Sequence, residues 1–556
     1  MAWAGQTQWR VLATGFHAGQ AFLAAWQAWR ADPRRPALLH YAAIEARPPS
    51  AEAIVRGAAA QSGLAPLAAE LATRWQGLTP GMHRFAFEGG RVLLTLCAGE
   101  TAALLRELDF SADAVDLDGP EADLATLKAV ARLCREGTTL AATGMTDQVR
   151  RDLATCGFQL DPPQGDTLRG RYAPAWPVKG MRQASGAAPS RAVVIGAGLA
   201  GAAVAASLAR RGWQVEVLDA APSPAAGASA LPAGLLAPHQ SPDDNLLSRL
   251  SRAGIRITLQ ECAARLAEGE WQAGGVLEHR WGDARPLRGV DGLQAWSREA
   301  STELLRQAGL ADHEPAWWHE SAAWVRPAAL ARAWLAQPGV AFHGGCTVAS
   351  LGRDDAGWQV LDAEGKTLAR APLVIVAAAY ASGALLAGRI ATHPVRGQVS
   401  WALHDEGSAK LLPPFPVNGH GHFIPRLPMA EGLAWCSGST YGRGDADTAP
   451  READQAANLV RLRELLPAVA QGLAPQFAAG RVRAWSGVRC TSPDRRPLVG
   501  ELEPGLWVST AMGSRGLTFA ALCGELIAAR LHGEPLPLEQ RLAASLDVRR
   551  LGERMP

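Results

Sequence analysis

Four residues near the middle of the chain have the types and the spacing of a dinucleotide-binding turn. Gly196, Gly198 and Gly201 form the pattern G-x-G-x-x-G, and Asp219 closes the next apolar stretch. The glycines permit a tight turn, let backbone approach a pyrophosphate and allow close helix–strand contact. Asp219 is placed to accept hydrogen bonds from an adenosine ribose. The pattern predicts a dinucleotide site whose phosphates lie at a helix N-terminus.

A second glycine-rich turn lies close to the C-terminus. Gly513, Arg515 and Gly516 stand between a predicted strand, Leu506–Ser509, and a predicted helix, Leu517–Arg530. Such a late turn is similar to that of the flavoprotein amine-oxidase superfamily, in which the helix N-terminus points at the pyrimidine edge of the isoalloxazine. N–H donors and a helix dipole there stabilise the negative charge that reduction brings. The two turns together favour FAD over NAD.

Short apolar stretches predict the elements that hold the first turn. They are a strand over Ala192–Ile195, a helix over Ala202–Arg211 and a strand over Gln214–Leu218. A further strand, Leu373–Ala378, fits the superfamily's position near the adenine and ribose. Alternating strand and helix signals in both halves of the chain predict an α/β protein of two units, the second with an added antiparallel section.

The clearest break in composition is the run from Pro174 to Pro189. It is rich in Pro, Gly, Ala and Ser and lacks hydrophobic periodicity, as is typical of a linker. We therefore predict a first domain over residues 1–175, a linker over 176–190 and a second domain over 191–556.

The overall composition is that of a packed globular protein. Of the 556 residues, 48% are hydrophobic and 19% are charged, which argues against wholesale disorder. The formal net charge of +2 neither demands nor excludes a nucleic-acid partner. No stretch approaches about 18 unbroken apolar residues and the N-terminus lacks a signal-peptide pattern, so we expect a cytoplasmic protein with no membrane partner.

The eight cysteines are scattered, and none of them forms a C-x-x-C pair. A disulfide framework or a zinc site is therefore not expected, and we predict reduced thiols and no metal.

Seven short motifs make the chain resemble one family. They are Gly227-Ala228-Ser229, Gly234-Leu235-Leu236, Ser241-Pro242-Asp243-Asp244-Asn245, Pro394-Val395-Arg396-Gly397-Gln398, Thr440-Tyr441 with Arg443-Gly444-Asp445, Gly487-Val488-Arg489-Cys490, and Gly513-Ser514-Arg515-Gly516-Leu517-Thr518. By these residues the chain is similar to the bifunctional enzymes that make 5-methylaminomethyl-2-thiouridine at the wobble position (U34) of tRNA. The resemblance is dense after residue 191 and patchy before it.

The resemblance implies two activities on one partner, tRNA. An FAD-dependent oxidoreductase acting on a CH–NH group would remove the carboxymethyl group from 5-carboxymethylaminomethyl-(2-thio)uridine and leave the 5-aminomethyl form. A methyltransferase using S-adenosylmethionine would then methylate that amine. The implied fold is an N-terminal Rossmann-like methyltransferase-type domain, followed by an FAD-binding doubly wound domain with an antiparallel-sheet substrate subdomain. The oligomeric state is left open.

Arg489 is the leading candidate for binding the substrate. It lies where related glycine-oxidising flavoenzymes place the arginine that binds the substrate carboxylate, and its planar guanidinium suits that group better than lysine would. His239, Tyr441 and Arg443 are candidates for lining the substrate pocket.

The N-terminal half departs from the family in its cofactor turn. Residues 11–30 predict a strand, a turn with Gly15 and Gly19, and a helix. Where the family has an acid and a further glycine, this chain has Ala13 and His17. Glycine lets the backbone approach the cofactor and the acid orients the loop, so both changes threaten S-adenosylmethionine binding.

Other residues of the methyltransferase half match the family. Glu45, at the end of the next strand, would bind the ribose of S-adenosylmethionine. Asp118, followed by Gly119, matches an Asp-Gly whose aspartate lies at the methyl-acceptor site, but residues 120–123 replace the aromatic loop that should follow. We expect the fold to survive, and leave the catalysis of this half open.

Two alternatives remain. The protein could be a free amino-acid oxidase of the glycine or sarcosine type fused to a relic domain. The N-terminal half could also be a non-catalytic module that binds tRNA for the flavin site. An oxidase for free glycine needs a closed pocket, whereas an extruded wobble base needs an open, basic-rimmed mouth.

Overall fold

A computed structural model of the chain describes residues 3–59, 61, 63–118, 122–162, 165–177, 186–282, 287, 292–355, 357–405 and 407–552. The chain divides into two compact units. The first is Met1–Ala188 with Glu525–Ser545, and the second is Pro189–Gly524 with Leu546–Pro556. Residues 178–185 of the predicted linker and residues 119–121 after Asp118 lie outside the described residues.

The first unit is a sheet with helices on its connections. Its strands are β1 (Gln8–Ala13), β2 (Leu38–Glu45), β3 (Gly81–Phe87), β4 (Val92–Ala98), β5 (Ala112–Leu117), β6 (Cys134–Thr143), β7 (Phe158–Leu160) and β8 (Thr167–Tyr172). Its helices are α1 (Gln20–Ala31), α2 (Ala51–Ala58), α3 (Ala65–Ala72), α4 (Thr101–Glu107), α5 (Leu124–Arg132) and α6 (Asp147–Thr155).

The central strands of this sheet are parallel. The order is β3-β4-β2-β1-β5-β6-β8-β7, with parallel pairing from β4 through to β6 and antiparallel strands at both edges. Seven of the eight residues in β2 are buried, because a parallel strand is covered on both faces. Helix α1 packs Phe22, Leu23, Trp26 and Trp29 into the core, at the spacing of one helical face.

Residues Glu525–Ser545, which the sequence analysis places in the C-terminal domain, group with this first unit. Backbone carbonyls explain the grouping: Gln8 Nε2 donates to His532 O over 3.0 Å, and Arg10 Nη1 donates to Gly533 O over 3.1 Å. Helix α15 (Gln540–Ala544) belongs to the same stretch. No local pattern in the sequence signals this return.

The second unit contains a mostly parallel sheet in the order β17-β10-β9-β21-β29-β28, with only β28 antiparallel. Its strands are β9 (Arg191–Ile195), β10 (Gln214–Leu218), β17 (Val340–His343), β21 (Leu373–Val376), β28 (Leu498–Glu503) and β29 (Leu506–Thr510). The helices of the unit are α7 (Leu199–Ala209), α8 (Leu246–Arg265), α9 (Thr302–Gln307), α10 (Pro327–Leu335), α11 (Ser382–Leu385), α12 (Glu452–Leu465), α13 (Pro467–Ala478) and α14 (Gly516–His532), of which the residues from Glu525 onward count with the first unit.

A largely antiparallel sheet completes the second unit, in the order β14-β15-β13-β23-β24-β25-β22-β26, with β27 paired to β22. Its strands are β13 (Val276–His279), β14 (Ser297–Glu299), β15 (Ala316–His319), β22 (His393–Leu403), β23 (Val417–Gly419), β24 (Gly421–Met429), β25 (Gly432–Gly438), β26 (Gly442–Arg443) and β27 (Arg483–Thr491). Two three-stranded sheets are formed by β11 (Gly234–Leu236), β12 (Trp271–Ala273) and β16 (Ala323–Val325), and by β18 (Ser350–Asp354), β19 (Gly357–Leu361) and β20 (Thr367–Ala371).

The predicted α/β class is confirmed, and the elements around both glycine turns form as expected. The predicted helix Ala202–Arg211 is wrong at its start: the helix begins at Leu199, because Gly198 is its N-cap. Within the described residues, no helix is both long and apolar enough to span a bilayer, and no cluster of three or more His, Cys, Asp or Glu side chains could hold a metal.

Candidate functional site

A cavity of about 710 Å³ lies in the second unit, where the two glycine turns meet the antiparallel sheet. Its wall contains most of the residues that the sequence analysis assigns to FAD and substrate: Gly196, Gly198, Asp219, His239, Arg489, Gly513, Arg515 and Gly516. The fold therefore brings together residues that are more than 300 positions apart in the chain.

In the first glycine turn, two of the three glycines have no room for a side chain, whereas the third has open space beside it. A Cβ on Gly196 (φ +109°) would meet Ala377 O at 2.5 Å, and a Cβ on Gly201 would meet Gly196 O at 1.8 Å. A Cβ on Gly198 would meet only Ser229 Oγ, at 3.3 Å. Gly196 and Gly201 therefore serve the turn and the packing, while Gly198 leaves backbone accessible from the cavity. The cavity fits a pyrophosphate at the N-terminus of α7.

Asp219 fixes this turn and keeps acceptor capacity. Ala197 N–H donates to Asp219 Oδ2 over 2.7 Å, and Ala221 N–H donates to Oδ1 over 2.8 Å. A carboxylate offers about four acceptor positions, so about two remain for ribose hydroxyls. Ser229, which the sequence analysis quotes only within a motif, accepts from Leu199 N–H over 3.0 Å beside the helix N-terminus.

The late turn places a cation and a helix N-terminus in the same cavity wall. Ala511 and Gly513 both have positive φ, +61° and +59°, and α14 begins at Gly516. Burial lowers the pKa of Arg515, which lines the cavity together with the first turn of α14. The geometry suits the anionic edge of a reduced flavin.

Arg489 projects from β27 into the cavity and is held by the loop that follows β25. Its Nη2 donates to Ser439 Oγ, and its Nη1 donates to Thr440 O over 3.4 Å. A Cβ on Gly397 would meet Arg489 Nη1 at 2.4 Å, so the absence of a side chain on β22 makes room for the guanidinium. Burial lowers the pKa of Arg489, which means that its charge is poorly solvated and would gain from a carboxylate partner.

A row of polar side chains crosses the antiparallel sheet beside Arg489, and sequence reasoning missed it. Glu278 on β13 pairs with Asn418 on β23, and Asn418 pairs with His422 on β24. All three line the cavity. Strand pairing brings them together across long stretches of sequence, so no local motif could have revealed the row.

His422 and Glu278 have opposite electrostatic settings within this row. Burial, followed by the charge of Arg489, lowers the pKa of His422 to about 4, and its buried Nε2 has no hydrogen-bond partner among the described residues. Burial alone would raise the pKa of Glu278, but hydrogen bonds from His319 and Arg280 lower it to about 2. The cavity therefore presents a neutral imidazole and an ionised carboxylate.

Of the three remaining substrate candidates, one lines the cavity and two do not. His239 lies in the wall, where burial and the nearby charge of Arg515 lower its pKa. Tyr441 and Arg443 lie outside the lining, and Tyr441 is next to Arg489, with 5.7 Å between its ring centroid and the guanidinium carbon.

In the first unit, Gly15, His17 and Asp118 are close together. His17 adopts a left-handed backbone (φ +51°), the conformation that a glycine at this position would favour, and its Nε2 lies 2.9 Å from Asp118 Oδ2. A Cβ on Gly15 would meet Asp118 Oδ2 at 2.6 Å, and Thr14 Oγ1 accepts from Asp118 N–H over 2.8 Å. The side chain that stands where the family has glycine thus lies within ion-pair distance of Asp118, the residue that the resemblance puts at the methyl-acceptor site.

The carboxylate of Glu45 is hydrogen-bonded to the backbone of the same turn. Its Oε2 accepts from Phe16 N–H over 3.3 Å and His17 N–H over 2.9 Å, and its Oε1 accepts from Arg47 N–H over 3.2 Å. About one acceptor position remains for a ribose hydroxyl. Gly19 (φ +73°) is the N-cap of α1, and a Cβ there would meet the Phe16 ring at 2.8 Å.

Asp116 is a further acid in this region that the sequence analysis did not single out. It lies near the end of β5, two positions before Asp118, which follows the strand. Burial and then the charge of Asp118 raise the pKa of Asp116, whose carboxyl also shares a hydrogen bond with Tyr41.

Comparisons with known proteins agree with both halves. Residues 191–530 match the family described as FAD dependent oxidoreductase, and residues 62–167 match an S-adenosyl-L-methionine-dependent methyltransferase family. The second match begins after the Gly15–Gly19 turn. Glycine oxidase from Geobacillus kaustophilus superposes with a TM-score of 0.52 at 20% identity, covering 65% of this chain and 99% of that one, which shows a shared fold.

The class is therefore an FAD-dependent oxidoreductase joined to a methyltransferase domain. The tRNA 5-methylaminomethyl-2-thiouridine biosynthesis bifunctional protein MnmC of Polaromonas naphthalenivorans is 52% identical over 98% of this chain and 90% of its own length. The protein of the same name from Verminephrobacter eiseniae is 49% identical over 99% of this chain and 97% of its own length. The chain belongs to this family of bifunctional tRNA 5-methylaminomethyl-2-thiouridine biosynthesis proteins.

Proposed function

We propose that the second unit oxidises the carboxymethylaminomethyl group of wobble uridine in tRNA and releases the 5-aminomethyl form. The observation that carries the proposal is Arg489, a poorly solvated cation in the wall of the FAD cavity, which supplies the partner that a substrate carboxylate needs. FAD, when bound, accepts the hydride from the carbon between the nitrogen and the carboxylate. Water then hydrolyses the imine to an aldehyde and the shortened amine.

Residues of the chain orient the substrate and set its protonation. Arg489 binds the carboxylate through N–H groups that Ser439 and Thr440 do not use, and so fixes the direction of the C–H bond. The secondary amine must be neutral when the hydride leaves. The positive charges of Arg489 and Arg515 favour the neutral amine over the ammonium form, against the opposite effect of the ionised Glu278. The neutral His422 adds no charge that would compete for the carboxylate.

For the first unit we propose the S-adenosylmethionine fold of the family with a weakened cofactor turn. The His17–Asp118 pair and the nearly filled Glu45 carboxylate support weak binding. Weak binding leaves a second candidate, in which this half binds tRNA without methylating it.

Nucleoside analysis of tRNA treated with the purified protein tests both halves. We expect 5-carboxymethylaminomethyl-(2-thio)uridine to disappear and the 5-aminomethyl form to accumulate without S-adenosylmethionine. A 5-methylaminomethyl product that forms only with S-adenosylmethionine would assign methylation to the first unit. Unchanged tRNA together with rapid oxidation of free sarcosine would overturn the proposal in favour of an amino-acid oxidase.

A further inference from the structure

An aromatic side chain stands exposed just outside the cavity, next to the arginine that holds the substrate carboxylate. Tyr441 is 44% exposed, and its hydroxyl has no hydrogen-bond partner among the described residues. It follows Ser439 and Thr440, the two residues that accept from Arg489. Its position is therefore fixed relative to Arg489, although its ring is free to contact a ligand.

The surroundings of Tyr441 are cationic. The guanidinium carbons of Arg489 and Arg443 lie 5.7 Å and 6.0 Å from the ring centroid. Arg443 is exposed and, among the described residues, has no carboxylate within ion-pair distance, since the neighbouring Asp445 pairs with Arg451. An aromatic surface beside an unpaired exposed arginine is the combination that binds single-stranded nucleic acid.

The distances match the modified base. Four bonds separate the uracil ring from the carboxylate carbon in the carboxymethylaminomethyl arm, a span of about 5 Å. With its carboxylate on Arg489, the arm is long enough for the uracil ring to reach Tyr441, whose ring centroid lies 5.7 Å from the Arg489 guanidinium carbon. A free amino acid such as sarcosine has no ring that could stack on Tyr441.

We propose that Tyr441 is the stacking surface for the extruded wobble uracil, and that Arg443 contacts the adjoining phosphate backbone. The inference rests on the proposed function and goes beyond it, because it assigns discrimination between tRNA and free amino acids to two residues outside the reaction cavity. Stacking needs a π face rather than the hydroxyl, so phenylalanine replaces tyrosine at this position without loss.

The test compares a large and a small substrate. An anticodon stem-loop RNA that carries 5-carboxymethylaminomethyluridine is compared with sarcosine, and kcat/KM is measured for the FAD-loaded wild type, Tyr441→Ala and Tyr441→Phe. We expect Tyr441→Ala to lower the RNA-to-sarcosine ratio of kcat/KM by about tenfold to a hundredfold. Tyr441→Phe should keep the wild-type ratio. Tyr380→Ala is the matched control, because Tyr380 is a tyrosine of similar exposure, 47%.

Binding without turnover gives a second readout. The dissociation constant of a stem-loop with unmodified U34 should rise about tenfold in Tyr441→Ala. For Arg443→Gln the negative slope of log K against log salt concentration should become shallower by about 0.7, the loss of one phosphate contact.

If Tyr441→Ala lowered kcat/KM equally for the RNA and for sarcosine, Tyr441 would act as a wall residue of the cavity and the inference would be wrong. Unchanged kcat/KM for the RNA in Tyr441→Ala would overturn it as well. A wild type that oxidises sarcosine but not the RNA would instead overturn the proposed function.

Discussion

Each unit contains a strand, a glycine turn, a helix and a second strand that ends in an acid. In the second unit the acid is Asp219, which accepts from Ala197 N–H in the turn. In the first unit it is Glu45, which accepts from Phe16 and His17 N–H. In both units, therefore, a carboxylate accepts hydrogen bonds from the backbone of the glycine turn.

The two turns differ in the space they leave for a ligand. At Gly198 only Ser229 Oγ lies near the missing Cβ, and Asp219 has about two acceptor positions free. In the first unit, Phe16 and Asp118 fill the space next to Gly19 and Gly15, and Glu45 has about one acceptor position free. The two turns therefore share an architecture, but the first leaves less space and fewer acceptor positions beside its glycines than the second.

The first prediction compares the effect on FAD content of replacing a glycine by alanine in each of the two turns. In Gly201→Ala the Cβ would meet a backbone carbonyl at 1.8 Å, so α7 must move away from β9. Overpacking of this kind costs about 1–3 kcal/mol or more and opens the pyrophosphate site. We expect the purified variant to be colourless, with FAD below about a tenth of the wild-type content.

Gly15→Ala is the matched change in the other turn, where the Cβ would meet a side chain, Asp118, that can rotate. FAD content and solubility should stay at wild-type levels. A yellow Gly201→Ala protein with full FAD would show that the close helix–strand contact is not required.

Local sequence was sufficient to predict both turns and the elements beside them. The motif G-x-G-x-x-G fixes its strand and helix over fewer than 30 residues, so Gly196 and Asp219 could be placed without a structure. The return of Glu525–Ser545 to the first unit could not, because it depends on contacts such as Arg10 to Gly533 across the length of the chain.

The second prediction concerns S-adenosylmethionine. Because Glu45 is nearly filled and His17 binds Asp118, we expect a dissociation constant nearer to millimolar than to micromolar, a difference of about 4 kcal/mol. His17→Gly should tighten binding about tenfold, because it removes the side chain that pairs with Asp118 beside the turn. Calorimetry decides: a low-micromolar value for the wild type would contradict the expectation, and Asp118→Ala would then abolish methylation.

The third prediction tests Arg489 in the intact site. Arg489→Ala should keep its FAD and lose about a hundredfold in kcat/KM for the modified uridine, about 3 kcal/mol, because a charge-assisted bidentate contact is lost. Arg489→Lys should recover only part of the activity, since a point charge lacks the planar fork. If Arg489→Ala turned over the modified uridine at the wild-type rate, Arg489 would not be the residue that binds the substrate carboxylate.

Gly397 is a residue that a sequence motif contains but whose role the sequence does not reveal. The motif match includes Gly397, yet its role appears only when β22 and β27 pair and its missing Cβ makes room for the Arg489 guanidinium. The polar row of Glu278, Asn418 and His422 is a similar case, because it arises from strand pairing. A turn could be located from a local motif, whereas contacts made by strand pairing, such as that between Gly397 and Arg489, could not.

The smallest effect is expected at His422, the histidine of the oxidase site, which contrasts with the 70% exposed His17 of the other unit. The pKa of His422 is lowered to about 4, against about 6.5 in the unfolded chain, because burial and Arg489 disfavour its charged form. Between these two values the unfolded state binds the proton and the native state does not. Stability is therefore fully present above pH ~6.5 and is lost as pH falls toward about 4.

His422→Gln removes this pH dependence. Between pH 7.5 and pH 5 the free energy of unfolding of the wild type should fall by about 1–2 kcal/mol more than that of the variant, a value reduced from the full linkage because the side chain is partly exposed. The urea midpoint for release of FAD fluorescence measures it at both pH values, with Asn418→Ala as a neighbouring non-titrating control. Parallel shifts in all three proteins would mean that His422 takes up its proton as readily in the folded site as in the unfolded chain. A shift that is smaller only in His422→Gln would establish a neutral imidazole beside Arg489 throughout the range in which the enzyme must bind a carboxylate.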